Sequence, residues 1–286
     1  MIGAIIGDII GSAYEWKIKK AEDKNFELFT QYSICTDDTI MTLAVGQALV
    51  NSYDKTNPES IGKELIKQMQ AFGKIYPYSR YGKRFSKWLR LENPEPYNSY
   101  GNGSAMRVSS VAWLYNDIET VNKYAEITAA VSHNHEEGIK GARAIASAIF
   151  LAREKKSKKE ISEYIEKNFG YILEPINEII EKEKNTDNSC QVTVPIAIQV
   201  FLESQDFEDT MRTALFVGGD SDTIACMAGS IAEAYYDIPD EMINFAFLRM
   251  DKTLKKTLKN ILIEIKDKAN LNKNFQKTLE RLEKEI

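Results

Sequence analysis

Gly219-Asp220-Ser221-Asp222-Thr223-Ile224-Ala225-Cys226-Met227-Ala228-Gly229-Ser230-Ile231-Ala232 joins a short acidic cluster to an apolar run. Ile224, Ala225, Met227, Ala228, Ile231 and Ala232 fall at spacings of three and four, the repeat of a helix face. Ala225, Ala228, Gly229 and Ala232 form a narrow stripe of small side chains along it. A second stripe opens the chain, where Gly3, Gly7 and Gly11 recur every four positions. Glycine weakens a helix by about 1 kcal/mol relative to alanine, so three in register point to another backbone that must come close. Tight packing at the centre of a helical bundle is the simplest meaning. It would hold Asp8 and Glu15 in the same interior region as the acidic cluster.

Most of the remaining chain reads the same way. Ile61-Leu65-Ile66-Met69-Phe72 and Ala142-Ile145-Ala146-Ile149-Phe150 keep helical spacing, period-two alternation is scarce, and Gly and Pro fall mainly between such runs. The expectation is an all-α bundle of roughly a dozen helices. No linker or repeat divides the chain, so residues 1–286 read as a single domain, with 236–286 as C-terminal packing helices over its outside. A net charge of −5 gives no electrostatic reason for nucleic acid as the main partner. Cys35, Cys190 and Cys226 lack metal-motif spacing, fit a reducing compartment, and read as packing residues because neighbouring carboxylates raise a thiol pKa. The N-terminal segment shows no basic leader and no apolar stretch reaches transmembrane length, so the expectation is a cytoplasmic protein away from membranes.

The cluster at Asp220 has a counterpart in Thr36-Asp37-Asp38-Thr39, again before an apolar helical run. Either cluster taken singly reads as a helix N-cap, because Asp and Thr side chains accept hydrogen bonds from first-turn amides. A cap does not need a second adjacent acid. Asp37-Asp38 and Asp220-x-Asp222 concentrate repulsion that a cation would relieve, and cap and ligand roles can share one helix end. An all-oxygen donor set suits Mg²⁺, Mn²⁺ or Ca²⁺ rather than zinc, and the surplus of carboxylate suggests two ions sharing ligands.

Between the clusters lies Asn98-Ser99-Tyr100-Gly101-Asn102-Gly103-Ser104-Ala105-Met106-Arg107, leading into an apolar helical run from Val108 to Leu114. A Gly-rich loop entering a helix is a natural anion site, although an ordinary turn has the same composition. It lacks the Gly-Lys-Ser/Thr ending of a phosphate-binding loop. His133 and His135 are the two histidines; capping or ligand contact suits them better than metal ligation, since positions two apart diverge on a helix.

Together these segments resemble the ADP-ribosylglycohydrolase family, the dinitrogenase-reductase-activating glycohydrolase type of ADP-ribosyl hydrolase. The resemblance rests on Gly7 to Glu15, Thr36-Asp37-Asp38-Thr39, Ser99 to Arg107, Ser132-His133 and Gly219 to Thr223, in the family's order and within residues 3–235. It implies a compact orthogonal helical bundle with two Mg²⁺ or Mn²⁺ ions in a central cleft. Thr36, Asp37 and Asp38 would serve one ion, Asp220 and Thr223 the other, and Asp222 would bridge them. Ser99, Tyr100, Gly101, Asn102, Gly103 and Ser104 would cradle the diphosphate of ADP-ribose, with Tyr100 near the adenine and His133 on the diphosphate or its ribose. Glu15 matches the acid/base carboxylate of the serine-linkage branch, which tilts the implied substrate towards an O-glycosidic bond. Glu136 departs from the proline common among bacterial relatives.

The expected activity is hydrolysis of the C1″ ribosyl bond of a modified protein side chain by a monomer. The alternatives are a hydrolase of a small-molecule or nucleic-acid ADP-ribose conjugate and a non-catalytic ADP-ribose-binding module. The pocket for the leaving group is expected from the aromatic stretch between Tyr76 and Trp88.

Overall fold

Gly3, Gly7 and Gly11 lie against the second small-residue stripe, and that contact organises the molecule. In a computed structural model describing residues 1–15, 23–25, 27–53, 56–182, 187–268 and 272–286, the first glycine stripe belongs to helix α1 (Ile2–Gly11). The second belongs to α13 (Ser221–Tyr235). A Cβ on Gly3 would collide with the carbonyl oxygen of Gly229, one on Gly7 with that of Ala225, and one on Gly11 with the backbone of Asp222. All ten residues of α1 are buried, so its Ile2, Ile5, Ile6, Ile9 and Ile10 fill the core on the faces that the glycines leave. Burying each such side chain stabilises the fold by about 1.5–3 kcal/mol before entropic losses. The amide of Gly3 donates to the buried Glu233 of α13, which satisfies a first-turn N–H that a helix leaves without a partner.

Around this pair run α2 (Asp37–Asn51), α3 (Pro58–Ile75), α4 (Lys83–Trp88), α5 (Gly103–Met106), α6 (Val111–Leu114), α7 (Ile118–Ala130) and α8 (Glu136–Arg153). They are followed by α9 (Lys158–Phe169), α10 (Ile176–Glu181), α11 (Cys190–Glu203) and α12 (Phe207–Val217), and after α13 by α14 (Asp240–Arg249), α15 (Lys252–Lys268) and α16 (Lys273–Glu285). Among the described residues there is no strand, only an isolated bridge between Gly101 and Ser189. The all-α reading therefore holds. Twelve of these helices are ten residues or longer; the excess over a dozen comes from α4, α5, α6 and α10, single turns too short for a periodic pattern. The run from Val108 to Leu114 is one such case. It begins in a turn at Val108 to Ser110 and becomes helical only as the one-turn α6.

α13 also packs against α8, α11 and α12, and α2 against α3 and α1. The C-terminal helices pack against this centre. α15 packs on α2, with Ile261 against Gly46, and its Leu258 and Leu262 are buried as well. α16 places Phe275 on Trp113, ring centroids 4.3 Å apart. No described helix is long and apolar enough to cross a membrane.

Candidate active site

The first turns of α2 and α13 meet in the interior because both helices pack on α1. Asp8, from the middle of α1, ties down the start of α2. Its carboxylate accepts from the amide and hydroxyl of Thr36, at 2.9 and 2.6 Å, and from the amide of Thr39 at 3.1 Å as well as the Thr39 hydroxyl. Thr36 is the N-cap of α2. The next residues, Asp37 and Asp38, are thereby aimed at Asp220, Asp222 and Thr223 at the start of α13. Ser221 completes the junction by donating to the carbonyl of Gly11 at 3.1 Å.

Two carboxylate groups result. Asp8, Asp38 and Asp222 each offer an oxygen within 4.8 Å of the others, and so do Glu15, Asp220 and Asp222, so Asp222 belongs to both. Asp38 and Asp222 are almost fully buried. The Thr223 hydroxyl lies 3.2 Å from Asp38 Oδ2, while Asp38 Oδ1 is buried with no hydrogen-bond partner. A buried carboxylate oxygen without a donor carries a large penalty, and an ion is a natural remedy. Burial, followed by the repulsion of neighbouring carboxylates, holds Asp37, Asp38 and Asp222 well above the usual carboxylate range. Asp220 is raised by burial too, offset in part by a 2.7 Å hydrogen bond from Asn102 Nδ2. As N-cap of α13, Asp220 makes no side-chain cap bond. An oxygen-only set with surplus negative charge and an orphaned oxygen fits hard divalent cations.

The acids floor a cleft of about 400 Å³, within the range of small-ligand sites. Its walls are supplied by the loop Ser99 to Gly103, by His133, and by Arg80, Lys83, Arg84 and Phe85. The loop is pinned to the start of α11: the Asn102 amide donates to Asn188 O at 2.9 Å, and the Cys190 amide to Tyr100 O at 2.9 Å.

Comparison with known proteins identifies the family. The ADP-ribosylglycohydrolase family model matches residues 1–267. The chain belongs to the ADP-ribosylglycohydrolase family. It is 26% identical over 309 residues to human ADP-ribosylhydrolase ARH3, covering 82% of this chain and 84% of that protein. It is 24% identical over 262 residues to the ADP-ribosylarginine hydrolase Tri1 of Pseudomonas putida (strain GB-1), covering 83% and 70%. A solved structure described as an ADP-ribosylglycohydrolase-related protein complex shares the fold, with a TM-score of 0.68 and 20% identity over 94% of this chain and 96% of that one. As a family member the protein is a hydrolase acting on ADP-ribose glycosidic bonds.

Not every residue implied by the resemblance faces the cleft of this ADP-ribosylglycohydrolase. Glu15, Asp37, Asp38, Asp220, Asp222, Thr223, Ser99, Gly101, Asn102, Gly103 and His133 line it. Thr36 lies behind the acids with its hydroxyl on Asp8. Ser104 is fully buried and donates to Gly138 O at 2.7 Å, so only its backbone is left for a ligand. Tyr100 lies outside the lining, half exposed, with its ring edge-on to His135 at 5.4 Å. His135 caps α8, its Nδ1 accepting from the Glu137 amide at 3.1 Å; His133 is the histidine in the cleft. Burial, then Arg107 and Arg84, hold His133 well below its usual pKa, so it is neutral at pH 7.

The stretch from Tyr76 to Trp88 reaches the cleft through its cations rather than most of its aromatics. Tyr76 turns away to hydrogen-bond Asp251, Tyr78 is 94% exposed, and the Trp88 indole N–H donates to Glu95 O. Arg80 instead pairs with Glu15 at 2.8 Å and donates to Ser12 O at 3.1 Å. A left-handed backbone at Arg80 (φ 59°) sends its side chain there, a turn that composition does not announce. The thiols behave as packing groups. Burial pushes Cys190 up to about 12, and burial together with Asp38 and Asp8 pushes Cys226 well above the usual thiol range.

Proposed function

We propose that this glycohydrolase is a divalent-cation-dependent enzyme that releases ADP-ribose from a modified protein side chain, acting as a monomer of one domain on a serine-type O-linkage. The observation that carries the reading is the pair of carboxylate groups sharing Asp222 on the cleft floor, with Glu15 in the second of them at the rim. The set is all oxygen, so Mg²⁺ or Mn²⁺ suits it. Asp37 and Asp38, with Thr36 behind them, would hold one ion and Asp220 and Thr223 the other, with Asp222 between. When bound, such ions supply positive charge that fixes the ribose hydroxyls and offsets charge on the departing oxygen.

The chain's own residues supply orientation and proton handling. Asn102 holds Asp220 through its amide, and the Ser99 to Gly103 loop with His133 clamps the diphosphate at a distance from C1″, which lowers the barrier by positioning. Cleavage of the C1″ bond develops oxocarbenium character. Glu15 is the proton-handling group, taking a proton from the incoming water or giving one to the leaving oxygen. Its pairing with Arg80 keeps the carboxylate at the rim, 24% exposed, where water and leaving group meet. The serine-type linkage rests on Glu15 matching the acid/base position of that branch.

The test is incubation with serine-ADP-ribosylated and arginine-ADP-ribosylated peptides, with Mg²⁺ and with chelator, and quantification of free ADP-ribose. Chelator-sensitive release from the serine peptide is expected. Release from the arginine peptide alone overturns the linkage. ADP-ribose binding without release from either peptide moves the activity to a small-molecule or nucleic-acid conjugate, or to a binding role.

A further inference from the structure

In the cleft wall beside the loop lies a cation with no counter-ion among the described residues. Arg107 is fully buried, and no carboxylate pairs with it among the described residues. Its Nη2 donates to Thr128 O at 3.1 Å and to Ser132 Oγ at 2.9 Å, while Nε and Nη1 meet neither an acceptor nor solvent. The Phe85 ring lies 5.6 Å from the guanidinium carbon. Burying a guanidinium is costly unless it does something that an apolar residue would not. Among the described residues its only side-chain hydrogen-bond partner is Ser132, and Ser132 Oγ sits 2.8 Å from His133 Nδ1.

The direction of these bonds follows from the donor inventory. A guanidinium only donates, so Ser132 Oγ accepts from Arg107. The hydroxyl keeps one proton of its own, and in a fully buried position it needs an acceptor. His133 Nδ1 is the acceptor within reach among the described residues. Nδ1 therefore carries the lone pair and the ring proton resides on Nε2. That nitrogen has no hydrogen-bond partner among the described residues and lies towards Gly103 and Gly101. A Cβ on Gly103 would stand 3.0 Å from it, so glycine there keeps the nitrogen uncovered on the cleft side.

We propose that Arg107 and Ser132 are positioning residues which fix His133 as the neutral Nε2–H tautomer, so that it donates a hydrogen bond to an oxygen of the ligand beside the Gly101 to Gly103 loop. The ligand, the ADP-ribosyl group, is taken from the functional reading above; the tautomer is a property of the free protein. With the opposite tautomer a lone pair would face the ligand oxygen and repel it. Arg107 also lines the cleft, but its Nη2 is taken by Thr128 O and Ser132 Oγ, and the role assigned to it here is exerted through Ser132.

The experiment uses the full chain with ¹⁵N-labelled histidine and long-range ¹H–¹⁵N correlation at neutral pH. With two histidines the spectrum is simple, and His135 is assigned by its loss in His135→Asn, which keeps a capping side chain. In the wild type, His133 is expected to show a pyridine-type Nδ1 and a pyrrole-type Nε2. In Ser132→Ala both nitrogens should move towards tautomer-averaged positions. ADP-ribose should then bind about tenfold more weakly, the worth of one hydrogen bond to a charged group, with KM rising more than kcat falls. A pyrrole-type Nδ1 or an imidazolium at His133 in the wild type overturns the proposal without Ser132→Ala having to fold. So does Ser132→Ala binding ADP-ribose as the wild type does. A wild type with the expected tautomer that neither binds nor releases ADP-ribose overturns the functional reading instead, and the relay is then judged by the nitrogen shifts alone: both moving in Ser132→Ala bears it out, and unchanged shifts overturn it.

Discussion

Asp38 Oδ1 has no donor and no solvent, in a position where burial and neighbouring acids already oppose ionisation. Asp222 is the residue on which both carboxylate groups depend. Asp222→Ala is expected to abolish ADP-ribose release while the far-ultraviolet circular dichroism stays near wild type; turnover restored by excess Mg²⁺ would remove it from the bridging role. Glu15→Gln keeps shape and polarity but cannot exchange a proton. It should bind ADP-ribose normally and lose about 10²- to 10⁴-fold in kcat, the usual reach of general acid–base catalysis. A variant as fast as wild type would take Glu15 out of the mechanism. The acids were legible in sequence because adjacent pairs exceed what helix capping needs. The glycine stripe brings Asp8 near the site but says nothing of its task, because its donors, Thr36 and Thr39, lie far along the chain and only folding reveals them. Arg107 ends the Ser99 to Arg107 segment, but its partners Thr128 and Ser132 belong to the end of α7 and the turn after it, which local sequence does not reveal.

The α1–α13 contact is the element on which the site is built, since it sets the distance between Asp8 and the start of α13. Gly7→Ala would drive a methyl into the Ala225 carbonyl, and backbone cannot yield as a flexible side chain can. Overpacking of this kind costs about 1–3 kcal/mol and sometimes more. A lowered thermal midpoint and weakened activity are expected together, because moving α13 off α1 moves Asp220 and Asp222. Gly62→Ala is the matched control. It lies within α3, and its added Cβ meets Val131 at an ordinary 3.7 Å, so the variant should gain about 0.4–1 kcal/mol through reduced unfolded-chain entropy. Equal midpoints for the two variants would contradict the close-approach argument. These stripes could be read from sequence because glycine at every fourth position has a steric meaning of its own. The one-turn helices α5 and α6 could not, for four residues hold no period. There the chain follows Asn102, which accepts the Ala105 and Met106 amides, and the pinning of the loop by Asn188 and Cys190.

At the scale of the molecule, the site joins residues from near both ends of the described chain, so charge in the cleft bears on global stability. The folded protein holds Asp37, Asp38, Asp220 and Asp222 above their ordinary pKa, and folding without metal therefore takes up protons. The sign is fixed by that direction: the stability linked to these groups is fully present below the unfolded value of about 3.9 and is lost as pH rises through the raised folded values. A divalent cation reverses the trend, because it binds the deprotonated cluster and the folded state alone. At a hundred times its dissociation constant it should add about 2.7 kcal/mol. The thermal midpoint with Mg²⁺ should thus exceed that with chelator by a clear margin at about pH 7.5, and the margin should shrink towards about pH 5 as protons compete for the same oxygens. Differential scanning calorimetry of the wild type and Asp222→Ala at both pH values checks this. The variant should show little Mg²⁺ effect at either pH and, in chelator, a midpoint at about pH 7.5 no lower than the wild type's, since a buried repulsive charge has been removed. A wild-type margin independent of pH would mean that the carboxylates of the cleft do not hold the ion.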